Sequence, residues 1–230
     1  MSKKAARLAQ FLENESGAYM HLSYPLIRCA LSNLKLALQD RHEPVFRSMD
    51  NHYSYHGIGS IVLLVSGFDS LLNEMIVQIA KELKHLAAKP IATRYNAIAH
   101  RRKRREIPRN DDLHLLVEVR HEIVHGLPRV INEPSNVPMW LRDLQDRGLF
   151  ITSPGSSGDD FALGWKIGSY KLCYWAWETV SAATKELLNT LDEGRQVVVK
   201  TVSELERFRD VCSPVGLVDF DKKHALEVRN

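Results

Sequence analysis

The residues best equipped for chemistry sit close together, in the segment Asp112-Leu-His-Leu-Leu-Val-Glu-Val-Arg120-His121-Glu122-Ile123-Val124-His125-Gly126. Two patterns overlap in it. The first is His-Glu-x-x-His, formed by His121, Glu122 and His125. On a helix, residues four apart share a face one turn apart, so both imidazoles could bind one zinc ion with the glutamate as general base. The second is Arg-x-x-x-x-His, formed by Arg120 and His125 with polar His121 directly after the arginine. An imidazole exchanges protons near neutral pH, and a guanidinium keeps its charge and offers a planar fork that matches phosphate oxygens. That pair suits proton transfer beside a growing negative charge.

The surroundings disfavour zinc. A zinc hydrolase needs a third ligand, and the next histidine is His224, far down the chain. Glu178 is an available carboxylate, but Trp177-Glu178-Thr179-Val180 lacks the usual gluzincin surroundings. Gly126 and Pro128 stop the helix at the second histidine, a C-terminal signature.

The elements that must position these residues read as helices. Leu8, Phe11 and Leu12, then Leu26, Ala30, Leu34 and Leu38, keep helical spacing between Ala5 and Arg47, where Pro44 ends the run. From Tyr53 to Ala88 the stripe Ile61, Leu64, Val65, Phe68, Leu72, Met75, Ile76, Ile79 and Leu83 predicts one long helix. Beyond Pro90 the reading is a polar connector ending in the basic run Arg101, Arg102, Lys103, Arg104 and Arg105. Asn110-Asp111-Asp112 then opens the motif helix, with a capping side chain and acids near its positive end. Its apolar positions are Leu113, Leu116, Val117, Ile123 and Val124. Residues 128–165 are irregular apart from a short helix around Trp140 to Asp146. A last long helix runs from Lys166 to Asp192, and Val197-Val198-Val199 marks a short strand or helix. The expected class is all-α, a bundle.

At this point the chain resembles the HEPN superfamily (higher eukaryote and prokaryote nucleotide-binding domains). The similarity rests on Arg120-His121-Glu122-Ile123-Val124-His125 at the end of a helix, preceded by a long apolar helix and followed by a variable loop and an aromatic-rich helix. It covers residues 53–193, leaving 1–50 as extra N-terminal helices and 194–230 as a C-terminal tail. The resemblance implies a metal-independent endoribonuclease without cofactor, working as a homodimer with RNA between two motif helices. Proteins of this kind serve as toxins or effectors in toxin–antitoxin and anti-phage systems, which implies an antitoxin or a sensor as partner. In one branch a tyrosine two residues after the histidine is modified by the antitoxin. Leu127 stands there, so that control is not expected.

The chemistry agrees. Cleaving RNA without metal needs a base for the 2′-hydroxyl proton, an acid for the leaving oxygen and a cation for the phosphorane. His125 would move protons, Arg120 would hold the charge, and His121 would orient the phosphate. Arg120 and His125 lie about 140° apart around a helix. One chain supplies one such pair, so base and acid together imply two copies. The basic run 101–105 would grip the RNA backbone.

Blander readings stand beside these. Arg120 could be a surface arginine and His125 a capping residue, giving a non-catalytic nucleotide-binding or dimerisation module. The basic run could be a solvated loop. Asp69, Asn73 and Glu74 read as the outer face of the long helix, with support of Arg120 as the alternative, and Trp165, Tyr174, Trp175 and Trp177 as core. With 44% hydrophobic and 26% charged residues, the composition excludes disordered and collagen-like classes. The apolar run Gly57 to Phe68 is short for a bilayer and meets Asp69 and Glu74 at once. With no secretion signal at the start and three widely spaced cysteines (Cys29, Cys173, Cys212), the expectation is a cytoplasmic protein with buried, reduced thiols.

Overall fold

The computed structural model describes residues 22–40, 55–78, 81–100, 110–125, 137–149, 170–189 and 196–207. Among them every element is a helix: α1 (Ser23–Asp40), α2 (Tyr55–Gln78), a 3-10 helix (Lys81–Leu86), α3 (Ile91–His100), α4 (Asn110–His125), α5 (Met139–Asp146), α6 (Tyr170–Asn189) and α7 (Gln196–Arg207). The protein is all-α.

Helix α2 lies at the centre and packs against α1, α3, α4, α6 and the 3-10 helix. Its stripe Ile61, Leu64, Val65, Phe68, Leu72, Met75 and Ile76 is buried, and Leu71 joins it. It is the one described helix long and apolar enough to cross a membrane, despite the charges that follow Phe68. Packing on several sides accounts for that apolarity.

The pairing of α1 with α2 is the most extensive in the bundle. Ile27, Ala30, Leu31 and Leu34 recur at helical spacing on α1 and are buried. Close approach is possible because Gly67 lacks a side chain. A Cβ there would lie 2.9 Å from Cγ1 and Cδ1 of Ile27. Nearby, Ser60 Oγ donates to the Ala30 carbonyl at 3.0 Å. At the start of α1, the backbone N–H and hydroxyl of Ser23 donate to the two Glu74 carboxylate oxygens at 3.0 and 2.7 Å. A carboxylate at a helix N-terminus satisfies free N–H groups and complements the dipole.

Two expectations for residues 79–105 need correction. Residues 81–86 form a 3-10 helix, so the α-helix does not run on to Ala88. The supposed polar connector contains α3, which buries Ala92, Arg94, Tyr95, Ile98 and Ala99. Pro90 hides this start from a reading of breakers. It ends the preceding turn, while its carbonyl accepts the first helical bond from Arg94 N–H at 3.1 Å.

Helices α1 and α7, from the segments read as extension and tail, share the same core as the rest. Val202 and Leu205 of α7 join the cluster with Ile27, Leu34 and Trp177. Trp177 Nε1 donates to the Leu205 carbonyl at 3.2 Å, and Tyr24 Oη donates to Glu204 at 3.0 Å. The valine patch 197–199 lies in α7 and is helical.

Candidate functional site

Helix α4 carries the motif and is held on its inner side by α2, α3, α5 and α6. Leu113, Leu115, Leu116 and Val119 are buried. Val124, expected among the apolar inner positions, is 43% exposed. In the first turn, Asp112 pairs with Arg147, just beyond the end of α5, which fixes the start of α4 against its neighbour. The described part of α4 ends at His125, and the expected stop at Gly126 and Pro128 lies outside the described residues.

Asp111, His114, Glu118, His121 and His125 are all exposed. Their spacings of three and four place them on one face of the helix. His121 and His125 stand side by side, ring centroids 5.2 Å apart and planes inclined by 52°. Among the described residues no hydrogen bond or ion pair engages either ring. Arg120 is half-buried at the border between this face and the core. Its Nε is buried and has no hydrogen-bond partner among the described residues. A buried donor left open costs about 1–3 kcal/mol, so the group favours any acceptor brought to it.

Arg120, His121 and His125 therefore come together on one turn and a half of helix, with the imidazoles facing outward and the guanidinium at their flank. That set can exchange protons and neutralise an anion. As metal ligands, His121 and His125 are a pair without a third among the described residues. Among the described residues no group of three His, Cys, Asp or Glu side chains is placed to hold a metal ion. Glu178 is exposed on α6, and Glu122 is half-buried. The basic residues Arg101, Arg102, Lys103, Arg104 and Arg105, together with Trp165 and Cys212, lie outside the described residues.

Asp69, Asn73 and Glu74 are not an outer face. Glu74 caps α1, and Asp69 and Asn73 hold Arg94, which is 4% exposed. The guanidinium of Arg94 pairs with the Asp69 carboxylate and donates to Asn73 Oδ1 at 2.6 Å, to the Lys89 carbonyl at 2.9 Å and to the Asp69 carbonyl at 3.4 Å. This cluster pins α3 to α2 and is saturated by the protein. Reading by residue type missed it because an arginine among breakers looks solvated; its place on the buried face of α3 was the available signal.

The thiols divide. Cys173 is buried, and burial pushes its thiol well above the ordinary range, which disfavours the thiolate. Cys29, expected to be buried, is exposed. Burial likewise raises the Tyr95 phenol, with Glu186 adding to the effect. Trp177 is core, as expected, whereas Tyr174 and Trp175 are half-buried against it.

No family model, curated protein or solved structure matches the chain.

Proposed function

We propose that the chain is a HEPN-type endoribonuclease that cleaves RNA without a metal ion. The observation that carries this reading is the coincidence on one helix of two exposed imidazoles with a guanidinium whose buried Nε, like both rings, lacks a hydrogen-bond partner among the described residues. An arginine placed only for stability would have its donors satisfied, as Arg94 does.

In the proposed reaction the 2′-oxygen attacks the adjacent phosphorus and the bond to the 5′-oxygen breaks. The products are a 2′,3′-cyclic phosphate and a 5′-hydroxyl. His125 moves a proton, Arg120 neutralises charge on the phosphorane, and His121 contacts the phosphate. Two copies pair through the exposed face of α4 with RNA between them, and Arg101 to Arg105 bind its backbone. Such an activity in the cytoplasm calls for restraint, which fits a toxin or defence effector with an antitoxin or sensor partner.

The test is incubation of wild-type and His125→Ala protein with total cellular RNA in excess EDTA, followed by end-group analysis. Wild-type cleavage leaving cyclic phosphate ends, reduced about 10²–10⁴-fold in the variant, is the expected result. RNA binding without cleavage would favour a non-catalytic binding module. Cleavage abolished by EDTA would return the His121–Glu122–His125 pattern to a metal role.

A further inference from the structure

The proposed cleavage requires two proton transfers, and the usual argument for a second copy is that each chain brings one imidazole. On α4, however, two imidazoles stand within one chain. His121 and His125 are both exposed, 5.2 Å apart between ring centroids, and inclined by 52° rather than stacked flat. Among the described residues neither ring is committed to a carbonyl, a carboxylate or a cap. By contrast, His56 Nδ1 lies 3.3 Å from Asn33 Oδ1, and His85 Nδ1 lies 3.2 Å from the Glu82 carbonyl.

We infer that His121 and His125 of one chain are the acid and the base of the reaction, so that a single α4 carries both proton-transfer groups. The inference rests on the endoribonuclease reading and changes the task given to His121, from holding the phosphate to moving a proton.

The spacing fits the chemistry. In an in-line displacement the attacking 2′-oxygen and the departing 5′-oxygen lie on opposite sides of phosphorus. A base and an acid within about 2.6–3.2 Å of their own oxygens are then separated by roughly the span of one phosphate, about 6–8 Å. Rings 5.2 Å apart and splayed can set one nitrogen on each side of a bound phosphodiester. One neutral imidazole accepts the 2′-hydroxyl proton as the new P–O2′ bond forms. The other, protonated, gives its proton to the 5′-oxygen as the P–O5′ bond breaks. Electrons and protons balance within the pair, which ends the step with its protonation exchanged. Arg120, on the neighbouring face, meets the non-bridging oxygens.

The discriminating experiment uses two RNA substrates, one natural and one with a 5′-bridging sulfur at the scissile bond. A thiolate leaves without being protonated, so loss of the acid is forgiven on the sulfur substrate and loss of the base is not. His121→Ala and His125→Ala are each compared with wild type, and His85→Ala, an exposed histidine on the 3-10 helix, serves as control. Far-UV circular dichroism checks folding, which these exposed positions should leave intact.

The expected result is a loss of about 10²–10⁴-fold in both variants on natural RNA, none in the control, and recovery on the sulfur substrate in one of the two variants. The variant that recovers identifies the acid. Cleavage by His121→Ala within a few-fold of wild type would overturn the inference while leaving the endoribonuclease reading intact. So would equal losses without recovery in either variant, which is how a residue that merely positions the phosphate behaves. A wild-type protein that cuts neither substrate would overturn both.

Mixing the two inactive variants tests whether one chain suffices. A pair drawn from different chains would regain activity in mixed dimers, because each would contain one intact site. A pair drawn from one chain stays inactive, the outcome expected here.

Discussion

Arg94 and Arg120 both turn partly inward, yet their surroundings assign them opposite roles. Arg94 is enclosed, with acceptors from Asp69, Asn73 and Lys89 on its guanidinium. Removing Arg94 leaves the Asn73 and Lys89 acceptors without their donor, while Asp69 is 35% exposed and can turn to water. Arg94→Ala should therefore lower stability by about 1–3 kcal/mol, read by urea unfolding. The Arg120 Nε instead has no partner among the described residues. Deleting an unpaired donor relieves a penalty. Arg120→Ala should therefore leave the unfolding midpoint unchanged or raised while RNA cleavage falls. A large loss of stability in Arg120→Ala would mark it as a structural residue and remove it from the site. Both arginines were legible as residue types; which one is saturated was not, because Asp69 and Asn73 are more than twenty positions away from Arg94.

At the scale of elements, the crossing of α1 over α2 sets the distance around which the bundle is built. Alanine is favoured over glycine inside a helix by about 0.8–1.0 kcal/mol. At position 67 that gain meets a Cβ placed 2.9 Å from Ile27 and 3.2 Å from its backbone nitrogen. Overpacking of this kind costs about 1–3 kcal/mol, so Gly67→Ala should destabilise on balance. Adding Ile27→Val removes the Cδ1 in its path and should recover part of the loss in thermal unfolding. Greater stability in the single variant would show that the helices can separate cheaply. The sequence stripe located α2 and the motif helix, although it ran past Gln78 in the first and in the second missed Leu115 and Val119 while including the exposed Val124. It failed at α3, where the buried face consists of two alanines, a tyrosine, an isoleucine and an arginine, too mixed to stand out as a stripe.

For the whole molecule, the question is which segments belong to the core. α7 closes over α6 and α1, covering Trp177 with Val202 and Leu205 in the same cluster. Each buried aliphatic side chain contributes about 1.5–3 kcal/mol. A chain ending at Glu193 should lose roughly 3–6 kcal/mol from these two residues, seen as a lowered melting temperature or as aggregation on expression. An unchanged melting temperature would make α7 dispensable.

The sequence by itself determined the all-α class and the placement of Arg120, His121 and His125 on one helix. These are local properties: periodicity, caps and breakers act within a few residues. Only the tertiary structure decided that Val124 faces outward and that α1 and α7 complete the core. It also decided that Asp69, Asn73 and Glu74 serve Arg94 and Ser23, and that the two imidazoles stay exposed while the neighbouring guanidinium lies half-buried. Those outcomes depend on which face each neighbouring helix covers, and burial and hydrogen-bond saturation are set by partners distant in the chain.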